Sequence, residues 1–208
     1  GRAARTARQV RRQRTRPGRT CLNSAMASIP PSTGSLPAAD DARPEPPLAG
    51  VPQAFDHPND RAEFRRPAHR PGIELYRAHI IRHAFEPHTH EAYGLGAIET
   101  GVERFRYRGA EHLAPPGSVV LMNPDELHTG RAETAGGWRY RMAYIDPDVV
   151  AEVAGEAGWW FDCAVGHDAA SARRVTVLLD ALWRAREPLA FDSALHALLV
   201  EFRRHARV

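Results

Sequence analysis

The chain contains no lysine: all 28 of its basic side chains are arginine, so every fixed positive charge is a planar guanidinium rather than an ammonium. Cysteine is nearly absent as well. Cys21 and Cys163 are the only two in 208 residues, too few for a disulfide framework, and the expected setting is a reducing cytoplasm. No apolar run approaches the roughly 18 residues that span a bilayer as a helix, which argues against a membrane partner. Acidic residues are missing from residues 1–25, which hold eight arginines. Setting those aside leaves 20 basic against 25 acidic residues, a balance of −5 from Met26 onward. The body of the chain therefore lacks the basic balance of a nucleic-acid-binding domain. Arginine in place of lysine, with abundant alanine, is the usage of a GC-rich bacterial genome.

The basic start lacks the apolar stretch of a secretory signal. Met26 opens a more ordinary beginning, MASIPPSTG, and residues 1–25 are read as upstream sequence translated in frame rather than a nucleic-acid-binding arm. Pro30, Pro31, Pro37, Pro44, Pro46 and Pro47 then fall among Ser, Ala and Asp. Such a segment cannot bury enough apolar surface to offset its ordering entropy, so disorder is expected over residues 1–50.

Short strand signals separated by Gly and Pro turns follow, the pattern of an all-β sandwich or barrel. Residues 51–71 form an arm, with Phe55 and Phe64 as anchors and Glu63 to Arg66 as an edge strand. Glu74 to Arg82 reads as a strand. Tyr93 to Glu99 and Val102 to Tyr107 read as a hairpin about Thr100-Gly101, and Arg108-Gly109 as a second turn. Pro115-Pro116-Gly117 precedes a short buried strand, Val119 to Met122. From Trp138 to Ile145 the alternation is clean, with Trp138, Tyr140, Met142 and Tyr144 on one face. The period then changes to that of helices. Asp146 and Pro147 start one, Val175, Leu178, Leu179 and Leu182 mark a second, and Leu195, Leu198, Leu199 and Phe202 a third. A barrel with its arm over residues 51–145 and a helical segment over 146–208 is the expected organisation.

The chemistry concentrates in three histidines. In an extended strand His88 and His90 share a face, and His128 arrives at the end of a later strand, just past Asn123-Pro124. HTHEAYGLGAIETG, from His88, and PPGSVVLMNPDELH, ending at His128, resemble the two motifs of the cupin superfamily. The order HxHExY, a glycine turn, PPG, NPxExH and a W-x-Y strand ending in IDP resembles the sensory domain of AraC-type transcription regulators, over roughly residues 70–205. The resemblance implies a cupin-like double-stranded β-helix, or jelly roll, followed by helices that dimerise. Where metal cupins carry a glutamate ligand the chain reads EAYGLG, and Glu91 beside His90 faces away on a regular strand. The paired helix-turn-helix motifs of such regulators do not follow Val208, so the chain reads as the sensory part of a longer regulator.

The expected function is effector sensing and homodimerisation, with DNA contact left to the absent C-terminal domain and no catalytic residue. Candidate effector-binding residues are His88, His90, Phe105, Tyr107, His128, Trp138 and Tyr140, with Gly94 and Gly96 leaving room for a ligand. Candidate dimer residues are Leu195, Leu198, Leu199 and Phe202. No cofactor is required. The rival reading is a metal-dependent cupin enzyme, a dioxygenase or isomerase, holding a transition metal on His88, His90 and His128. Cys163 reads as a small buried hydrophobe.

Overall fold

Alternating side chains from Trp138 to Ile145 build the strand about which the fold is organised. The computed structural model describes Pro52 and residues 54–208, so the expectation of disorder over residues 1–50 lies outside the described residues. Strand β9 (Trp138–Ile145) is central in a six-stranded sheet. Its order is β1 (Arg61–Arg65), β2 (Ile73–Ile80), β9, β4 (Tyr93–Thr100), β7 (Ser118–Met122) and β11 (Val165–His167). A second sheet runs β3 (Ala84–His88), β8 (His128–Ala132), β5 (Glu103–Tyr107) and β6 (Ala110–Ala114). Every pairing is antiparallel. Trp138, Tyr140, Met142 and Tyr144 meet Phe85, Phe105 and Tyr107 of the second sheet in one apolar cluster. This is the expected jelly-roll barrel.

The expected hairpin between Tyr93–Glu99 and Val102–Tyr107 does not form. Strand β4 pairs with β7 and β9, while β5 pairs with β6 and β8. Gly101, at φ +71, turns a corner so tight that a Cβ there would lie 1.9 Å from the Gly137 carbonyl oxygen. The chain then crosses to the other sheet. The true hairpin is β5–β6, closed by Arg108 and Gly109 at φ 51 and 80. Positive φ at both central residues matches the right-handed twist of the flanking strands.

The outer face of the larger sheet is covered by α1 (Pro147–Ala154), α2 (Ala169–Arg184) and α3 (Pro188–Arg203). Asp168 caps α2, accepting from the backbone N–H of Ala170 and Ser171 at 3.0 and 3.1 Å. Asp146 stands at the N-cap of α1 but makes no side-chain cap bond. Leu75, Leu95, Leu121 and Ile145 pack against Val175, Leu179 and Leu182 of α2 and the Leu195 stripe of α3. Leu195, Leu198, Leu199 and Phe202 are at most 1% exposed within a single chain. The stripe proposed for a dimer is thus spent on the chain's own sheet, because the barrel leaves one apolar face for these helices to cover. The outward side chains are instead Val177 and Leu189, 67% and 79% exposed.

A two-stranded ribbon, β10 (Trp160–Phe161) with β12 (Ala206–Arg207), ties the end of the chain to the loop after α1. Cys163 is half-buried, not fully buried as expected. No helix among the described residues is long and apolar enough to cross a membrane. The arm is anchored as its aromatics suggest: Phe64 lies 4.6 Å from Tyr76, and Phe55 packs edge-on against His83 at 5.0 Å between ring centroids.

Candidate functional site

His88, the last residue of β3, is the register partner of His128, the first of β8. β3 ends there, so His90 lies beyond the strand rather than on its face. The three rings nonetheless converge. Centroids are 4.9 Å apart for His88–His90, 4.3 Å for His88–His128 and 4.9 Å for His90–His128. One ring nitrogen from each lies within 4.8 Å of the others. His90 and His128 are buried and His88 half-buried.

Two of the tautomers follow from local geometry. His88 Nδ1 is 2.6 Å from the Glu86 carbonyl oxygen, and His128 Nδ1 is 2.9 Å from that of Glu126. A carbonyl only accepts, so each Nδ1 carries the proton and donates it, leaving the Nε2 lone pair available. Burial pushes His128 down to about 4, against the Glu126 carbonyl bond, which raises it, and with His88 nearby, which lowers it further. At neutral pH His128 is therefore an uncharged acceptor.

The histidines form one end of a cavity of about 40 Å³, room for an ion or a few waters, since one water needs roughly 10–15 Å³ by this measure. Phe85, Tyr140, Met142 and Tyr144 form walls, and Glu103 enters from β5. The Glu103 Oε1 lies 3.1 Å from where a Cβ on Gly130 would sit, so glycine on β8 makes the space for it. Glu103 is half-buried as a residue, but its carboxyl group is enclosed, and that burial pushes it up to about 8. Among the described residues no arginine lines this cavity.

Of the candidate effector residues, His88, His90, His128 and Tyr140 reach the cavity. Trp138, Phe105 and Tyr107 stand behind it. Trp138 stacks on Tyr140 at 5.4 Å and Phe105 on His112 at 5.2 Å. The Tyr107 hydroxyl accepts from the backbone N–H and Nδ2 of Asn123 at 2.9 and 3.1 Å. Gly94 and Gly96 do not leave room for a ligand: a Cβ on Gly96 would lie 2.2 Å from Met142 Sδ, and one on Gly94 3.2 Å from Met122 Cβ. The neighbouring side chains already occupy that space.

Sequence reasoning missed three residues. Glu103 shares the inward face of β5 with Phe105 and Tyr107, a signal present in the two-residue period. Asn123 ties the loop before His128 to β10, donating to the Phe161 carbonyl and accepting from its N–H, both at 2.9 Å. Asp60 accepts from the N–H of Ile81, Arg82 and His83 at 2.5, 3.0 and 2.8 Å, fixing the turn that leads into β3.

Residues 70–199 match the AraC-like ligand binding domain family. The uncharacterized HTH-type transcriptional regulator YbfI of Bacillus subtilis (strain 168) is 30% identical over 84 residues, covering 40% of this chain and 30% of that protein. Among solved structures, a cupin 2 conserved barrel domain protein from Salinispora arenicola CNS-205 is 21% identical, covering 57% of this chain and 98% of its own, with a TM-score of 0.39. KdgF from Halomonas sp. is 16% identical, covering 46% and 86%, with a TM-score of 0.38. With 130 of its 208 residues inside the matched span, the chain belongs to the AraC-like ligand binding domain family.

Proposed function

We propose that this chain is the effector-sensing module of a transcription regulator and that a small molecule binds in the barrel between the histidine cluster and Glu103. The observation that carries this reading is the cavity itself. In a chain of this family, three imidazoles and an enclosed carboxyl group converge on one space at the barrel's inner end. Lone pairs at Nε2 of His88 and His128 accept hydrogen bonds from a ligand, and Tyr140 and Tyr144 supply apolar faces. A larger effector has to displace Met142 or Tyr144 to enter. That movement favours one conformation only through a difference in affinity between the two states. DNA contact belongs to a further domain of the regulator. Screening small molecules by thermal shift tests the reading. A binder is expected to raise the Tm of the wild type and to lose most of its effect on His128→Ala, and an effect that survives both His128→Ala and Tyr140→Phe would refute it.

A second reading, a metal centre, is favoured by the 4.8 Å spacing of the three imidazole nitrogens. The donor set fits: imidazole suits zinc, copper, iron and nickel, and the Nδ1 bonds of His88 and His128 hold those rings as second-sphere contacts do in metal sites. His88, His90 and His128 would hold the ion, which would supply a Lewis acid with positions left open for substrate. Elemental analysis separates the two. The regulator reading expects far less than one transition-metal ion per chain and a Tm unmoved by chelation; stoichiometric metal with chelator-dependent unfolding selects the enzyme.

A further inference from the structure

Toward β1, beyond the reach of α2, the outer face of the larger sheet is polar and has no helix over it among the described residues; it carries a groove of about 460 Å³. Strand register places its charges in two rows. In the first, Glu63 faces Arg77 and Arg77 faces Arg141 across β1, β2 and β9. That row is neutralised: Arg77 bonds Glu63 at 2.6 Å, and Arg141 bonds both Glu99 and Asp180.

The second row, one pleat further on the same face, reads Arg61, His79, Arg139 across the same three strands. It contains no carboxylate. Arg61 and Arg139 are exposed and form no ion pair among the described residues. His79 between them has its Nε2 3.0 Å from the Gly136 carbonyl oxygen. The carbonyl only accepts, so the ring donates there and supplies no negative charge to offset its two arginine neighbours. At the usual strand spacing the two arginines stand about 10 Å apart, within reach of one another's long side chains over the groove. Cations gathered on one sheet face without counter-charge repel one another, and the chain from Met26 onward is net acidic, so this row is no by-product of a basic surface.

We propose that this groove is a binding site for a small oxyanion, the phosphate or carboxylate group of a metabolite, held between Arg61 and Arg139. It is separate from the barrel cavity, and among the described residues the two share only Tyr140. Guanidinium groups offer paired N–H donors that match the oxygens of such a group, and the neutral inner row provides a floor that does not compete for it.

The test is titration of the full chain with inorganic phosphate and, separately, with succinate at low ionic strength, followed by arginine Nε–H resonances and by heat. Saturable binding by one of the two is expected and names the group. Arg139→Ser and Arg61→Ser should each weaken it about tenfold or more, as loss of a charge-assisted hydrogen bond does. Arg106→Ser, an exposed arginine on the opposite sheet, should leave it unchanged and so subtracts the background of residues 1–25. All three substitutions are at the surface, and an unaltered Tm confirms that each variant is folded. Equal weakening by all three, absence of saturation with both anions, or binding of short duplex DNA alone through Arg61 and Arg139 would overturn the proposal.

Discussion

Replacing Asp60 by alanine should unfasten the arm and the turn before β3 together. The Asp60 carboxylate is 7% exposed and accepts three backbone hydrogen bonds from consecutive residues, Ile81, Arg82 and His83. Bonds to a charged acceptor contribute about 1.5–3 kcal/mol each, but the three share one carboxylate and water can reach part of the turn. A net loss of about 3 kcal/mol follows, equivalent to roughly 6–12 °C in Tm for a domain of this size. The pH dependence has a definite sign. Burial raises the pKa of this carboxyl, yet the three backbone bonds together outweigh it and hold the group below its usual 3.8. A depressed folded-state pKa gives stability that is present above the unfolded value and lost as pH falls through the folded one. Urea unfolding of wild type and Asp60→Ala should therefore differ by the full amount at pH 7, and the difference should narrow as pH falls below about 4. Asp60→Asn, retaining one accepting oxygen, should fall between them. A difference under about 0.5 kcal/mol at pH 7, or one that is the same at pH 7 and pH 2.5, would refute the reasoning, since surface changes without a role lie in that range.

Glu103→Gln should stabilise the fold at alkaline pH and not at acid pH: the buried carboxyl, raised to about 8, favours the folded state below its unfolded value and loses that contribution as pH rises through 8. The gain in a urea titration at pH 8 is at most about 4 kcal/mol and should vanish near pH 4. Leu195→Ala should cost about 2–5 kcal/mol of stability by opening a cavity under the sheet, whereas Leu189→Glu should leave Tm within about 1 °C and, by sedimentation, abolish any self-association made by the outward side of α3. Asn123→Leu should cost about 2–4 kcal/mol in calorimetry, because it removes the side-chain partner of both backbone groups of Phe161 and the Nδ2 donor to the Tyr107 hydroxyl, leaving only the backbone N–H to that oxygen.

Strand β9 and the helices α2 and α3 were legible because one period runs through each for several turns or pleats, and burial enforces it. Trp138 through Ile145 alternates as written, and Val175, Leu179 and Leu182 all face the sheet. The corner at Thr100-Gly101 was misread because a glycine at positive φ closes a hairpin and turns a jelly-roll corner with the same local signal; the choice is made by β7 and β9, which lie far away in sequence. The histidine cluster was legible from spacing alone, although His90 reaches it from a loop. Its depth was not. Trp138, Phe105 and Tyr107 have the inward parity of cavity residues, and only the packing of Tyr140 on the first, and of His112 and Asn123 on the other two, puts them behind the wall. Asp60 and Asn123 act on backbone groups 21 and 38 residues away, a relation that leaves no periodic mark.

Asn123 also has a mechanical meaning. Its carboxamide grips both backbone groups of Phe161, and Phe161 is paired with Ala206 in the final ribbon. Five residues further along the chain stands His128. A movement that shifts the His128 loop through Asn123 must either break the amide clamp or carry Phe161, and with it the last strand, along. The rim of the barrel and the end of the described chain are geared to each other as a crank is to its shaft.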